Sequence, residues 1–324
     1  MSQPAQPAPA NDFDLGAALS RSLRGTSADL SAYLHELQRD VAVAGAQARL
    51  HAYFLPVDAN GRFRVERLAE FLCERIVDYA IPRRLIAEAE ALQASTGSTS
   101  PIVRLERRAR TAFTHLANTG EGGELLLFAM AEALFGFTQI LCKMSLKTAG
   151  QVHYHGADGV YAAARPDGGL NIYWGESKVH GRPADAIREC LASLAPFLTD
   201  PDSLSSARER DVLLVNEFAN FTDERLVAGL RAAFEPDDVA SLTTRHCGIG
   251  LTAFDCAAYG GDPAPTMTAI VEALQAELPG WQDAVGRRIT AENLGAFDLH
   301  LICVPLPQAE AFRSAFLRLL GFGA

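Results

Sequence analysis

Residues 155–178 read H-G-A-D-G-V-Y-A-A-A-R-P-D-G-G-L-N-I-Y-W-G-E-S-K, and this stretch decides the fold. Arg165-Pro166-Asp167-Gly168-Gly169 is strong turn chemistry, rich in the residues that pre-set or tolerate turn dihedrals. Strand-like runs flank it, Asp158–Ala164 before and Leu170–Lys178 after. The stretch therefore predicts a β-hairpin with a five-residue loop. If the loop is symmetric about Asp167, Ala164 faces Leu170, Val160 faces Trp174 and Asp158 faces Glu176. Opposed residues have Cβ atoms roughly 4.5–5.5 Å apart, so two carboxylates placed there repel unless a cation sits between them. A divalent ion gives the arrangement a purpose, because hard oxygen ligands suit Mg²⁺ or Mn²⁺. Lys178 falls on the face of Glu176 by strand alternation. A one-residue bulge would spoil the opposition.

Working outward, Glu124 opens a run to Phe135 that is apolar on nearly every side and predicts a buried helix. A charge at that depth is expensive unless paired or ligated, so Glu124 is a further candidate carboxylate. The basic residues add a second pointer. The chain has 26 Arg and only 3 Lys, and Lys143, Lys147 and Lys178 all fall within 36 residues. Arg and Lys are not interchangeable, and a compact ammonium has uses that a guanidinium lacks. Lys143 and Lys147, at i and i+4, are either a solvated helix end or a pair of phosphate contacts. Asp158, Glu176, Lys178 and Glu124 together suit metal-assisted phosphodiester hydrolysis. The metal would lower the pKa of a bound water, and the Lys would orient that water or stabilise developing charge.

Around this centre the chain alternates. Ala48–Pro56 predicts a strand, Asp58–Gly61 a turn, and Val65–Tyr79 a helix closed by Pro82. Arg104–Leu116 reads as a basic helix, Pro183–Leu198 as an amphipathic one, and 199–206 as a loop. Beyond it, strand-like runs at Asp211–Val215, Cys247–Phe254 and Asp298–Val304 alternate with helical patterns at Asp223–Phe234, Thr266–Leu278 and Gln308–Leu320. This is the pattern of an α/β layered domain. The division expected is a disordered tail over 1–12, an N-terminal α/β region over 13–118 and the site-bearing domain over 119–324. His153-x-His155 is a weak metal pair without a third ligand. Gly248 and Gly250 lack the rest of a nucleotide-binding loop and read as close packing in a strand.

Bulk features narrow the classes. The net charge of −10 argues against a broad nucleic-acid-coating surface. No apolar run is long enough to span a bilayer, and the N-terminus lacks signal-peptide character. The six cysteines show no C-x-x-C pair and read as small buried hydrophobes. The expectation is a soluble, cytoplasmic protein without structural disulfides.

The spacing D-x17-E-x-K across a hairpin, after a helical Glu and before a helix, resembles the PD-(D/E)xK nuclease core, with Ala157 where that name has Pro. The runs G-E-L-L-L-F, K-M-S-L-K-T, H-G-A-D-G-V and Y-W-G-E-S-K, then A-D-A-I-R-E-C-L-A-S-L, together with R-L-A-E-F-L-C-E-R-I-V-D-Y at 67–79, resemble HamA, the nuclease subunit of the Hachiman anti-phage system. The resemblance runs from about residue 45 to the C-terminus, more weakly beyond 200. It implies a restriction-endonuclease-like mixed sheet flanked by helices and a Mg²⁺-dependent DNA nuclease working with a superfamily 2 helicase, HamB. It implies the motif roles at Asp158, Glu176 and Lys178, with Glu124 in support. Two other readings stand beside it: a non-catalytic subunit that regulates a helicase, and a nuclease that acts without a partner.

Overall fold

The computed structural model describes residues 13–113, 120–146, 156–199, 207–261 and 264–322. The tail over 1–12, Lys147, the His153/His155 pair and all but the first residue of the 199–206 loop lie outside them. Seven strands form one sheet: β1 (His35–Ala42), β2 (Ala48–Phe54), β3 (Thr138–Gln139), β4 (Gly159–Ala164), β5 (Leu170–His180), β6 (Thr244–Asp255) and β7 (Leu299–Leu306). Their order is β1-β2-β7-β6-β5-β4-β3. The inner strands β2, β7, β6 and β5 run parallel, while β1, β4 and β3 pair antiparallel at the flanks. Parallel strands are covered on both faces and so read as near-continuous apolar runs; every residue of β7, L-H-L-I-C-V-P-L, is buried.

The helices are α1 (Leu15–Arg21), α2 (Ser27–Ser31), α3 (Val65–Glu74), α4 (Ile76–Ala80), α5 (Arg83–Thr96), α6 (Ser100–Ala112), α7 (Glu121–Phe135), α8 (Pro183–Thr199), α9 (Ala207–Phe218), α10 (Glu224–Phe234), α11 (Val239–Leu242), α12 (Met267–Ala291) and α13 (Ala309–Leu320). α8 covers β5 and β6 on one face, with α12 against α8. α7 covers the other face, backed by α3, which packs in turn on α13. Gly248 and Gly250 do lie in a strand under close packing. A Cβ on Gly248 would come within 2.8 Å of Leu194 on α8, and one on Gly250 within 2.8 Å of Cys190.

The mixed α/β sheet flanked by helices agrees with the expected class. The division at 118/119 does not interrupt the sheet, because β2 from the N-terminal region is hydrogen-bonded along β7 from the C-terminal one. Asp211–Val215, expected as a strand, is the middle of α9. Asp211, Val212 and Val215 are buried while Leu213 is 55% exposed, which is helical spacing. A five-residue apolar run does not distinguish the two periods. α12 continues through Pro279 to Ala291, well past the expected end at Leu278. All six cysteines are free and five are buried.

Candidate active site at the open end of β5

The hairpin has the anticipated register: Ala164 pairs with Leu170 and Val160 with Trp174. The ladder stops at Gly159–Gly175, whereas β5 runs on to His180. Residues 176–180 thus keep β6 on one side and have no β4 partner on the other. A bulged contact occurs here. The Asp158 N–H donates to the Gly175 carbonyl at 2.8 Å, which draws Asp158 off direct opposition to Glu176. Its carboxylate turns to the strand edge instead. Asp158 Oδ2 accepts from the Ser177 N–H and from its hydroxyl, both at 2.8 Å.

Glu176 and Lys178 share the face covered by α8, and Lys178 Nζ lies 3.0 Å from Glu176 Oε2. Cys190 on α8 closes over this strand, its Sγ 3.5 Å from the Glu176 carbonyl oxygen. Burial, with the Asp158 charge beside it, pushes Glu176 from the usual 4.5 up to about 8, against the pull of Lys178. Burial alone would depress Lys178, but Glu176 and Asp158 outweigh it and hold the ammonium above its ordinary range. The two shifts oppose one another, since Glu176 adds to the hold on Lys178 only when it is ionised. Burial is the dominant influence on Glu176, so we take its upward direction as the governing one: the carboxyl holds its proton until another cation arrives.

The sign of the resulting pH dependence follows. Between 4.5 and about 8 the folded chain keeps a proton on Glu176 that the unfolded chain has released. Stability from this group therefore falls as pH rises through that window. In chelator, the melting temperature of Glu176→Gln relative to the natural chain is expected to climb between pH 5 and 8.5. A difference that stays flat or declines would contradict the shift.

Glu124 joins the site from α7. The G-G pair before it permits close approach: a Cβ on Gly123 would lie 2.9 Å from Val179 Cγ2 and 3.2 Å from Ser177 Oγ. The Tyr79 hydroxyl donates to Glu124 Oε2 at 2.9 Å. Glu124, Asp158 and Lys178 line one cleft of about 500 Å³, and Glu176 adjoins it through Lys178.

Lys143 is engaged within the fold. It lies in a 3₁₀ turn over Lys143–Leu146, with its side chain 10% exposed. Its Nζ donates to Asp211 Oδ2 at 2.6 Å and to the Ala157 carbonyl at 2.5 Å. Asp211 Oδ2 also accepts the Ala157 N–H at 3.0 Å. One buried ion pair thus grips both backbone groups of the residue before Asp158.

Two lining residues had not been singled out. His180 continues the alternation of Glu176 and Lys178, and its Nε2 lies 2.7 Å from Glu189 Oε2 on α8. The period of two in E-S-K-V-H would have found it. Arg313 on α13 bonds the Val179 carbonyl at the open edge. At a sequence separation of 134, no local signal could have paired the two.

Among the described residues, no group of three or more His, Cys, Asp or Glu is placed to hold a metal. Asp158 Oδ1 and Glu176 Oε1 remain outside the hydrogen bonds above. A two-carboxylate donor set fits Mg²⁺ or Mn²⁺, which retain several waters, better than a closed all-protein cage.

A family model described as HamA matches residues 32–320. The match begins just ahead of β1 and ends with the last residue of α13, so it spans the whole sheet and the cleft. No curated protein matches the chain.

Proposed function

The chain belongs to the HamA family, and from that premise and the cleft at the end of β5 we propose that it is a metal-dependent DNA nuclease acting with a helicase partner. Family membership implies a role in Hachiman anti-phage defence. The observation that carries the enzymatic reading is the buried Glu176 with the half-buried Lys178 against it, beside an edge-bound Asp158, at a strand end that opens into a cleft. Burying an ionisable carboxyl is unfavourable for stability alone, so the presence of Glu176 at a cleft favours a chemical use.

Asp158 and Glu176 would hold the ion, with Glu124 beside them. Bound there, Mg²⁺ or Mn²⁺ would polarise the phosphodiester and acidify a water. Lys178, cationic at neutral pH, orients a nucleophilic water and stabilises negative charge that develops on the phosphate. Ser177 fixes the Asp158 carboxylate, and the Lys143–Asp211 pair fixes the backbone before it. α8 excludes water from behind Glu176, which strengthens each interaction in front.

The net charge of −10 suits a chain that receives DNA from a partner better than one that captures it alone. Among the described residues no helix is long and apolar enough to cross a membrane. The reading places the activity in the cytoplasm. Its test is Mg²⁺-dependent cleavage of supercoiled, linear and nicked DNA, with and without the helicase. Cleavage abolished by chelator and by Asp158→Ala is expected. No cleavage under any condition, with no Asp158-dependent metal binding by calorimetry, would instead favour a regulatory subunit.

A further inference from the structure

α6 reads S-P-I-V-R-L-E-R-R-A-R-T-A over Ser100–Ala112. Arg104, Arg107, Arg108 and Thr111 stand at i, i+3, i+4 and i+7, and therefore on one helix face. All four are exposed, while Ala109, five residues on from Arg104, is buried on the other side of the helix. Among the described residues none of these three guanidinium groups has an ion pair or side-chain hydrogen bond. The only acid of the helix, Glu106, is held by Arg110 at 3.0 Å. Elsewhere the surface arginines are widely neutralised: Arg67, Arg84, Arg182, Arg188 and Arg318 all face carboxylates. Arg21, Arg62, Arg245 and Arg287 are exposed without a described ion pair as well, but they stand apart from one another in sequence, whereas Arg104, Arg107 and Arg108 share one helix face in a chain of net charge −10.

The helix is also tied to the cleft. Arg110 donates to the Leu319 carbonyl on α13 at 2.8 Å, and Phe113 packs edge-on against Phe316 of the same helix at 5.8 Å. α13 carries Arg313 into the cleft, and Gly120 lines it too.

We propose that the outer face of α6 is a contact surface for the phosphate backbone of duplex DNA approaching the cleft; this rests on the reading of the chain as a DNA nuclease. Arg104, Arg107 and Arg108 supply three phosphate contacts that carry no sequence information. Removing them weakens binding to all sequences alike and flattens its salt dependence, by about one unit of log–log slope per contact.

The test is fluorescence anisotropy with a labelled duplex in chelator, across a series of salt concentrations, so that no cleavage occurs. Arg104→Gln/Arg107→Gln/Arg108→Gln is compared with a control of equal charge, Arg67→Gln/Arg225→Gln/Arg245→Gln. The expected result is a triple variant that binds on the order of tenfold or more weakly at moderate salt, with a slope lower by roughly 2–3, and a control close to the natural chain. An α6 variant with unchanged affinity and slope overturns the proposal. A control that loses as much, or a natural chain that binds no duplex even at low salt, does so too. A natural chain that binds through α6 but never cuts with Mg²⁺ would remove the nuclease reading and leave this surface standing.

Discussion

Glu176→Gln and Lys178→Ala are each expected to lower DNA cleavage by about 10²- to 10³-fold, the usual effect of removing one preorganised charge from an active site. The two variants differ in what they do to the fold. Gln keeps the volume of Glu176 and removes a charge that burial already disfavours, so Glu176→Gln should melt no lower than the natural chain above pH 8. Lys178→Ala takes away the partner that lies 3.0 Å from Glu176 Oε2. The carboxyl answers by keeping its proton to higher pH, which limits the loss of stability near neutrality. Activity and melting curves measured on the same preparations separate chemistry from folding. Full cleavage by both folded variants would sink the assignment of the site.

The second large effect concerns stability. Asp211 is fully buried, burial pushes its pKa up against the pull of Lys143, and its Oδ1 has no hydrogen-bond partner among the described residues. Asp211→Ala takes the carboxylate away from the Lys143 ammonium, whose side chain is only 10% exposed. Breaking a buried pair in this way costs about 3–5 kcal/mol. Lys143→Met/Asp211→Leu removes both charges and should recover part of that loss, since an apolar pair of similar volume is often neutral in such places. It should not recover cleavage, because Ala157 then loses the grip on its N–H and C=O that sets Asp158. Denaturant titration gives the first comparison and cleavage rates the second. A double variant no more stable than Asp211→Ala would contradict the ion-pair account.

The hairpin could be read from sequence because its turn residues act locally. Pro166, Asp167 and Gly168 set the loop, and strand alternation then put Glu176 and Lys178 on one face. The end of the ladder could not be read, since the bond from Asp158 to Gly175 is a bulge with no compositional mark. β1 was missed for a related reason. H-E-L-Q-R-D-V-A is mostly exposed, shifts register twice and holds Asp40 at φ 56°, so it shows no clean alternation. Asp211 was misread because D-V-L-L-V suits either period. Its tie to Ala157, like that of Arg313 to Val179, joins residues far apart in sequence and depends on tertiary packing alone.

The strand order carries a further consequence, for the synthesis of the chain. β2 is made early, yet its parallel neighbour is β7, with Leu50 beside Leu301. β5, which bears Glu176 and Lys178, gains β6 only from residue 244 onward, and β6 waits in turn for β7. Contacts so distant in sequence form late, because a long loop must close before they can stabilise anything. On the ribosome β5 therefore has only β4, and β3 beyond it, on one side until residues 244–255 and then 299–306 have emerged. On the nuclease reading, a nascent chain without β6 and β7 would lack the support beneath its cleft.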